Sequence, residues 1–172
     1  ISGQRQNLHP CQDNQYDSLS GRMFHGTRFK WTGNAYDPNR EKAAAFGAAL
    51  YVTPDEKAVK NYGSAEIKEL EFSLDKCFII TKDYITSLGD IYKAMGTTVP
   101  DGADIQTALK DMRNYCRTSI DNSKAFKQEM LSMGYQGMYV GDYLNNIKMK
   151  EEVAIYDEKV QKKLKSYTGA EF

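Results

Sequence analysis

Segments with the residue pattern of β-strands lie towards both ends of this chain, and segments with the pattern of α-helices lie between them. The strand-like segments are short, apolar and bounded by turn residues, at 23–25, 48–53, 66–74, 77–80, 138–140 and 153–156. The main helical segments are 83–95, 103–117 and 122–133, with shorter ones at 39–46, 54–62 and 158–165. Strands that precede and follow a block of helices predict an α+β fold.

Length and charge narrow the classes of protein further. The 172 residues are enough to bury a substantial core in one domain, and we predict a polar arm at 1–20 followed by one domain at 21–172. Lys plus Arg and Asp plus Glu each number 23, so the net charge does not indicate a nucleic-acid or membrane partner. Because no apolar run approaches the length of a membrane span, we predict no membrane association.

Cysteine and histidine usage argues against metal chemistry. The three cysteines, Cys11, Cys77 and Cys116, are far apart and form no Cys-x-x-Cys pair, and the histidines His9 and His25 lack the spacing of metal ligands. We therefore predict neither a disulfide scaffold nor a metal site. The nucleophile motif of hydrolases and the glycine-rich motifs that bind dinucleotides or phosphates are also missing from the sequence.

Three of the strand segments each carry one group that could do chemistry. The segment 24–27 carries His25, 49–53 carries Tyr51, and 151–157 begins with two carboxylates, of which we favour Glu152. An aromatic wall and a single carboxylate suit a glycosidic bond that breaks through an oxocarbenium-like transition state. One carboxylate suffices if the leaving group is already cationic, as nicotinamide is in NAD.

Taken in order, these segments resemble the ADP-ribosyltransferase superfamily, in the His-Tyr-Glu branch shared by diphtheria-toxin-like toxins and poly(ADP-ribose) polymerases. The matching pieces are Phe24-His25-Gly26-Thr27, Leu50-Tyr51-Val52-Thr53, Ala58-Val59-Lys60-Asn61-Tyr62 and Glu151-Glu152-Val153-Ala154-Ile155-Tyr156-Asp157, which together span about residues 23–160. The resemblance implies two packed antiparallel β-sheets that form a split NAD-binding cleft with flanking helices.

The resemblance also implies a role for each matched residue towards NAD, which would be a substrate. Gly26 would hold the nicotinamide carboxamide through its backbone N–H and C=O. His25 and Thr27 would contact the ribose of the adenosine half. The two tyrosines, Tyr51 and Tyr62, would stack on the nicotinamide ring.

Glu152 would hydrogen-bond the nicotinamide ribose and stabilise the cationic transition state. Strand alternation places Glu152 on one face with Ala154 and Tyr156, and Glu151 on the other. By resemblance, the loop 141–150 would recognise the acceptor, and 34–45 would form a loop over NAD. The family's polymerases have a serine where this chain has Val59, so the resemblance favours transfer of a single ADP-ribose.

The function that the resemblance implies is mono-ADP-ribosyl transfer from NAD to a macromolecule, with a protein as the first choice of acceptor and a nucleic acid as the second. A bacterial or phage effector or toxin of this kind would be secreted or translocated and would act in the cytosol of a target cell. The alternatives are an NAD glycohydrolase and a catalytically silent binding domain. At the level of residues, His25 could be a strand-end histidine bonded to backbone, Tyr51 and Tyr62 could be core aromatics, and Glu151 and Glu152 could form a solvated strand edge.

Overall fold

The computed structural model describes residues 18–27, 43–59, 66–141, 151–162 and 165–166, and these form an α+β fold with two β-sheets. The strands are β1 (Leu19–Thr27), β2 (Leu50–Val52), β3 (Glu66–Leu74), β4 (Cys77–Thr81), β5 (Tyr84–Ile85), β6 (Gly137–Gly141), β7 (Glu151–Ile155) and β8 (Lys165–Ser166). The helices are α1 (Glu56–Val59), α2 (Leu88–Ala94), α3 (Ile105–Thr118), α4 (Ile120–Ser132) and α5 (Glu158–Lys162). The predicted fold class, α+β, is confirmed.

The three larger helices begin at side chains that cap them. Ser87, Asp104 and Ser119 each accept a hydrogen bond from the backbone N–H three residues later, at the N-termini of α2, α3 and α4. Such a cap satisfies one of the N–H groups that a helix start leaves without an intrahelical partner. Ser119 also interrupts the helical run, so that α3 and α4 are separate helices.

The three-stranded sheet has the order β1-β3-β8, and its central feature is a long antiparallel ladder. β1 pairs with β3 in nine positions, from Leu19 opposite Leu74 to Thr27 opposite Glu66. β1 begins at Leu19, so residues 19 and 20 of the polar arm predicted at 1–20 belong to this strand. Residues 1–17 lie outside the described part of the chain.

The five-stranded sheet has the order β2-β7-β6-β4-β5 and is mixed. β7 pairs antiparallel with both β2 and β6, whereas β4 and β6 pair parallel. The prediction that both sheets are antiparallel is therefore wrong for this one. The helical block α2–α4 lies between β4 and β6 in the chain, and it supplies the long crossover connection that parallel neighbours need.

Two hydrophobic clusters hold these layers together. One lies between the sheets and includes Met23 and Leu70 of the small sheet with Leu50, Val153 and Ile155 of the large one. The other lies between the opposite face of the large sheet and the helices α2–α4. Each face of β7 is therefore covered by a different layer of the protein.

Several predicted elements change their bounds. Residues 43–49 form turns and bends rather than the end of a helix at 39–46, and the helix predicted at 83–95 is shortened because β5 and a capping turn occupy 84–87. The short strands β5 and β8 were not predicted from the sequence. No helix in the described ranges is long and apolar enough to cross a membrane.

Candidate active site

The strands that carry His25, Tyr51 and Glu152 lie side by side. Phe24 of β1 and Thr53, which follows β2, exchange backbone hydrogen bonds of 2.8 and 3.0 Å in an antiparallel bridge. β2 pairs in turn with β7, with Tyr51 opposite Ala154. The fold thus brings together three segments that span more than 120 residues of sequence.

The strands β1 and β2 separate immediately after that bridge, and the backbone of Gly26 faces the gap between them. In the described chain, Phe24 and Thr53 form the one bridge between the two strands. Backbone groups of alternate residues point to the same side of a strand, so the N–H and C=O of Gly26 point where those of Phe24 point, away from β3 and towards β2. In the antiparallel register Gly26 reaches the level of Tyr51. An edge donor and an edge acceptor therefore face the gap beside that tyrosine.

His25 is held across the same gap by the backbone of β2. Its Nδ1 lies 2.7 Å from the carbonyl oxygen of Tyr51. Because a carbonyl only accepts hydrogen bonds, Nδ1 carries the proton and donates it, which leaves Nε2 as an acceptor. Burial lowers the pKa of His25, and the bond to Tyr51 opposes this effect. His25 is thus a neutral imidazole of defined tautomer at pH 7, and its bond to backbone fits both the structural and the functional interpretation.

Tyr51 is fixed by the segment that precedes β2. Its hydroxyl donates to the carbonyl oxygen of Gly47 at 2.5 Å and accepts from the N–H of Phe46 at 3.1 Å. Gly47 has φ of 96°, a conformation that favours glycine, and an added Cβ would lie 2.9 Å from the ring of Phe126. The half-buried Tyr51 ring is therefore an oriented wall on the helix-covered face of the sheet.

The two glutamates at the start of β7 lie on opposite faces, as strand alternation predicts. Val153 and Ile155, on the side of Glu151, belong to the cluster between the sheets, whereas Ala154 and Tyr156, on the side of Glu152, belong to the cluster under the helices. Since Tyr51 lies opposite Ala154, Tyr51 and Glu152 share one face. β7 is an inner strand of its sheet, so the interpretation as a solvated strand edge is wrong.

Glu151 is built into the protein interior. It is 6% exposed, and its carboxylate accepts a hydrogen bond of 2.5 Å from the hydroxyl of Tyr139 on β6. Its carbonyl oxygen accepts a further bond of 2.8 Å from the hydroxyl of Thr53. These contacts tie β7 to both neighbouring strands, which is a structural role.

Glu152 is partly buried, and the described residues provide no hydrogen-bond donor to its carboxylate. Burial raises the pKa of Glu152 to about 8, and the positive charge of Arg117, at the end of α3, partly offsets that rise. Burying a carboxyl group without a hydrogen bond costs free energy. Such groups with strongly perturbed pKa values are concentrated at functional sites.

The described residues include only part of the predicted site. Thr27 is the last residue of β1, and Val59 is buried at the end of α1. Tyr62 and the predicted loop regions 34–42 and 142–150 lie outside the described residues, so their roles stay predictions.

The positively charged residues near Glu152 were not predicted from the sequence. Arg113 and Arg117 are one helical turn apart, and the charge of Arg117 helps to lower the pKa of Arg113, after burial as the main cause. The spacing of the two arginines was visible in the sequence, but no pattern indicates that their helix lies over Glu152. The role of Tyr139 as partner of Glu151 has no sequence signal either.

Metal chemistry gains no support from the described part of the chain. It contains no group of three or more histidine, cysteine or acidic residues that could hold a metal ion. Cys77 and Cys116 are buried free thiols, and burial raises the pKa of Cys116 to about 12. A thiol of this kind is a poor nucleophile.

Comparison of the chain with protein-family models, with curated proteins and with solved structures found no match in any of the three.

Proposed function

We propose that this protein is an NAD-dependent mono-ADP-ribosyltransferase, with the fold of that superfamily. In the reaction the bond between C1′ of the nicotinamide ribose and the ring nitrogen breaks, and nicotinamide leaves with the bonding electron pair. A nucleophile of the acceptor then forms a bond to C1′ and loses its proton. The observation that carries the proposal is the half-buried Glu152 carboxylate, which lacks a hydrogen-bond donor in the described chain and lies on the same face as Tyr51.

The backbone of Gly26 supports nicotinamide as the leaving group. A carboxamide has a carbonyl that accepts a hydrogen bond and an NH₂ that donates one. The N–H and C=O of Gly26, which point into the gap beside Tyr51, have the complementary pair of functions. A carboxamide seated on Gly26 would bring its aromatic ring to the Tyr51 wall, where stacking is favourable.

The protonation of Glu152 supports a cationic substrate. With its pKa at about 8, this carboxyl group is mostly protonated at pH 7 before substrate binds. The nicotinamide ring of NAD is positively charged, and a nearby positive charge favours the ionised carboxylate. Substrate binding would therefore create the charge that stabilises the oxocarbenium-like transition state.

His25 supports the contact with the ribose of the adenosine half that the resemblance implies. Its ring is held in one orientation by the hydrogen bond from Nδ1 to the carbonyl oxygen of Tyr51. The resemblance to effectors and toxins is the support for secretion or translocation and for action in the cytosol of a target cell. The acceptor is a macromolecule in this proposal.

Incubation of the protein with NAD labelled on the adenine half, in a cell lysate, tests the proposal. We expect the label to appear on a macromolecule, together with release of nicotinamide in equal amount. Free ADP-ribose as the main labelled product would mean that water is the acceptor, and thus an NAD glycohydrolase. No release of nicotinamide by the folded protein would contradict the proposal and favour a silent binding domain.

A further inference from the structure

One side of α3 carries a line of positive charges that leads to the candidate carboxylate. Lys110, Arg113 and Arg117 fall within an arc of about 60° on this helix, at 3.6 residues per turn, and span about 10 Å along its axis. Lys110 and Arg117 are exposed, whereas Arg113 is half-buried. We call these three residues the basic line.

The acidic groups of α3 lie elsewhere. Asp111 is on the other flank, where its carboxylate accepts a hydrogen bond of 2.5 Å from the hydroxyl of Tyr92 on α2. Asp104 is bound at the N-terminus by the N–H and hydroxyl of Thr107. In the described part of the chain, neither Arg113 nor Arg117 forms an ion pair with a carboxylate. The two neighbouring guanidinium groups therefore repel each other, and an anion bound between them would relieve this repulsion.

The position of the basic line connects it to the proposed reaction. α3 packs on the face of the large sheet that carries Glu152, because Met112 and Cys116 share a cluster with Ala154 and Tyr156. Arg117, at one end of the line, is close enough to Glu152 for its positive charge to lower the pKa of that carboxyl group, against the larger effect of burial. An anionic acceptor that follows the basic line would reach the reacting centre at this end.

We propose that the basic line binds the phosphodiester backbone of a single-stranded nucleic acid and delivers a nucleotide of that strand to Glu152 as the acceptor. Guanidinium groups bind phosphate oxygens in a bidentate manner, and a strand presents phosphates at regular intervals along such a row of cations. Glu152 is partly buried, so a base or ribose reaches it only when the nucleotide is outside a duplex stack. This inference rests on the proposed function, and it favours nucleic acid over the protein acceptor that the resemblance puts first.

Binding of a fluorescein-labelled single-stranded oligonucleotide, followed by fluorescence anisotropy, tests the inference without NAD. The variant Arg113→Gln/Arg117→Gln removes two charges from the basic line. The matched control Lys93→Gln/Lys124→Gln removes two charges from exposed positions on α2 and α4. We expect the affinity at low salt to fall about tenfold or more in the arginine variant, and the slope of log K against log salt to shrink by roughly 0.7 for each lost phosphate contact.

The control should bind nearly as well as wild type, and Arg113→Lys/Arg117→Lys should recover part of the affinity. Arg117→Gln alone, at an exposed position, serves if the double variant does not fold in thermal melts. Equal losses in the arginine variant and in the control would overturn the inference, and so would equally strong competition by poly-glutamate, which would point to an acidic protein.

The same samples separate this inference from the proposed function. If wild type releases nicotinamide from NAD but the basic line does not bind the oligonucleotide, the inference alone is wrong. If the basic line binds the oligonucleotide and no nicotinamide is released, the proposed transfer is wrong, and with it the role of the nucleotide as acceptor.

Discussion

The two faces of β7 place two glutamate side chains in contrasting environments. On the face between the sheets, Glu151 is buried and has a hydroxyl donor, Tyr139, at 2.5 Å. On the face under the helices, Glu152 is partly buried, lacks a donor among the described residues, and has its pKa raised to about 8. The residues are adjacent in sequence, so the difference comes from the layers that cover them.

Burial alone therefore does not identify a functional carboxylate. The more buried glutamate, Glu151, is satisfied and contributes to the fold. The less buried one, Glu152, has no hydrogen-bond donor among the described residues, and a cationic substrate would stabilise its ionised form. Local instability that only substrate binding relieves is a recurring property of functional residues.

The largest expected effect is on turnover. Glu152→Gln keeps the size of the side chain but removes its charge, and the rate of nicotinamide release should fall about 100-fold or more, as for loss of one preorganised electrostatic group. The Michaelis constant for NAD should change much less, because the contacts of Gly26 and Tyr51 remain.

Glu151→Gln is the matched control for turnover, since it makes the same chemical change on the opposite face. Its rate should stay within a few-fold of wild type. If Glu151→Gln abolishes nicotinamide release and Glu152→Gln does not, the roles assigned to the two faces are reversed.

The second effect is on stability, with opposite signs for the two faces. The pKa of Glu152 is about 8 in the folded protein and 4.5 as its ordinary value, so the free-energy cost of keeping its ionised form buried is absent below pH 4.5 and grows as the pH rises to 8. Glu152→Gln should therefore stabilise the protein at pH 8.5 by on the order of 2 kcal/mol, given that one pKa unit is worth about 1.4 kcal/mol and that the group is only partly buried. Urea unfolding at pH 4.5 and 8.5 measures this change.

On the other face, Tyr139→Phe removes the donor to buried Glu151 and should destabilise the protein by about 1–3 kcal/mol. Urea unfolding of this variant measures the change in the free energy of unfolding for comparison with that of Glu152→Gln. Destabilisation by both substitutions at pH 8.5 would mean that Glu152 has a stabilising partner, contrary to the contrast between the faces.

The third effect is on pH dependence. The ionised form of Glu152 is the active one, so kcat/KM should rise with pH until about 8 and then level off. Arg117 lowers this pKa, so Arg117→Gln should move the rise to higher pH by roughly half a pH unit. A shift to lower pH, or no rise in wild type between pH 6 and 8, would contradict the assignment of Glu152.

The smallest expected effect is on NAD affinity and concerns the ring of Tyr51, on the same face as Glu152. Tyr51→Leu removes the ring and should weaken NAD binding about fivefold, since an aromatic contact is worth about 1 kcal/mol. Tyr51→Phe keeps the ring and loses the hydroxyl that bonds to Gly47 and Phe46, so calorimetry should find NAD affinity close to that of wild type and a lower melting temperature. Equal losses of affinity in both variants would mean that the hydroxyl, and not the ring, matters.

Local patterns predicted much of this molecule. Alternation of apolar and charged residues located β3, a continuous apolar run located β4, and the breaks between helical segments located α3 and α4. Strand alternation also separated Glu151 from Glu152. These features depend on residues close together in the chain, where the sequence determines the geometry directly.

The rest depends on contacts between distant segments. The parallel pairing of β4 with β6, the donor Tyr139 and the position of Arg117 near Glu152 arise from how the helical block folds back onto the sheet. No local pattern encodes these distances. For the same reason, the sequence indicated a carboxylate on β7 but not its unusual protonation.

Direct titration of the carboxyl groups tests the central contrast. The protein is labelled with ¹³C at glutamate side-chain carboxyls, and their chemical shifts are followed by NMR as pH is raised. We predict one glutamate that titrates near pH 8, whose signal is missing in Glu152→Gln and is retained in Glu151→Gln. If the signal assigned to Glu152 titrates near 4.5 like an ordinary surface glutamate, this carboxylate is neither desolvated nor in need of a partner, and the account of the site is wrong.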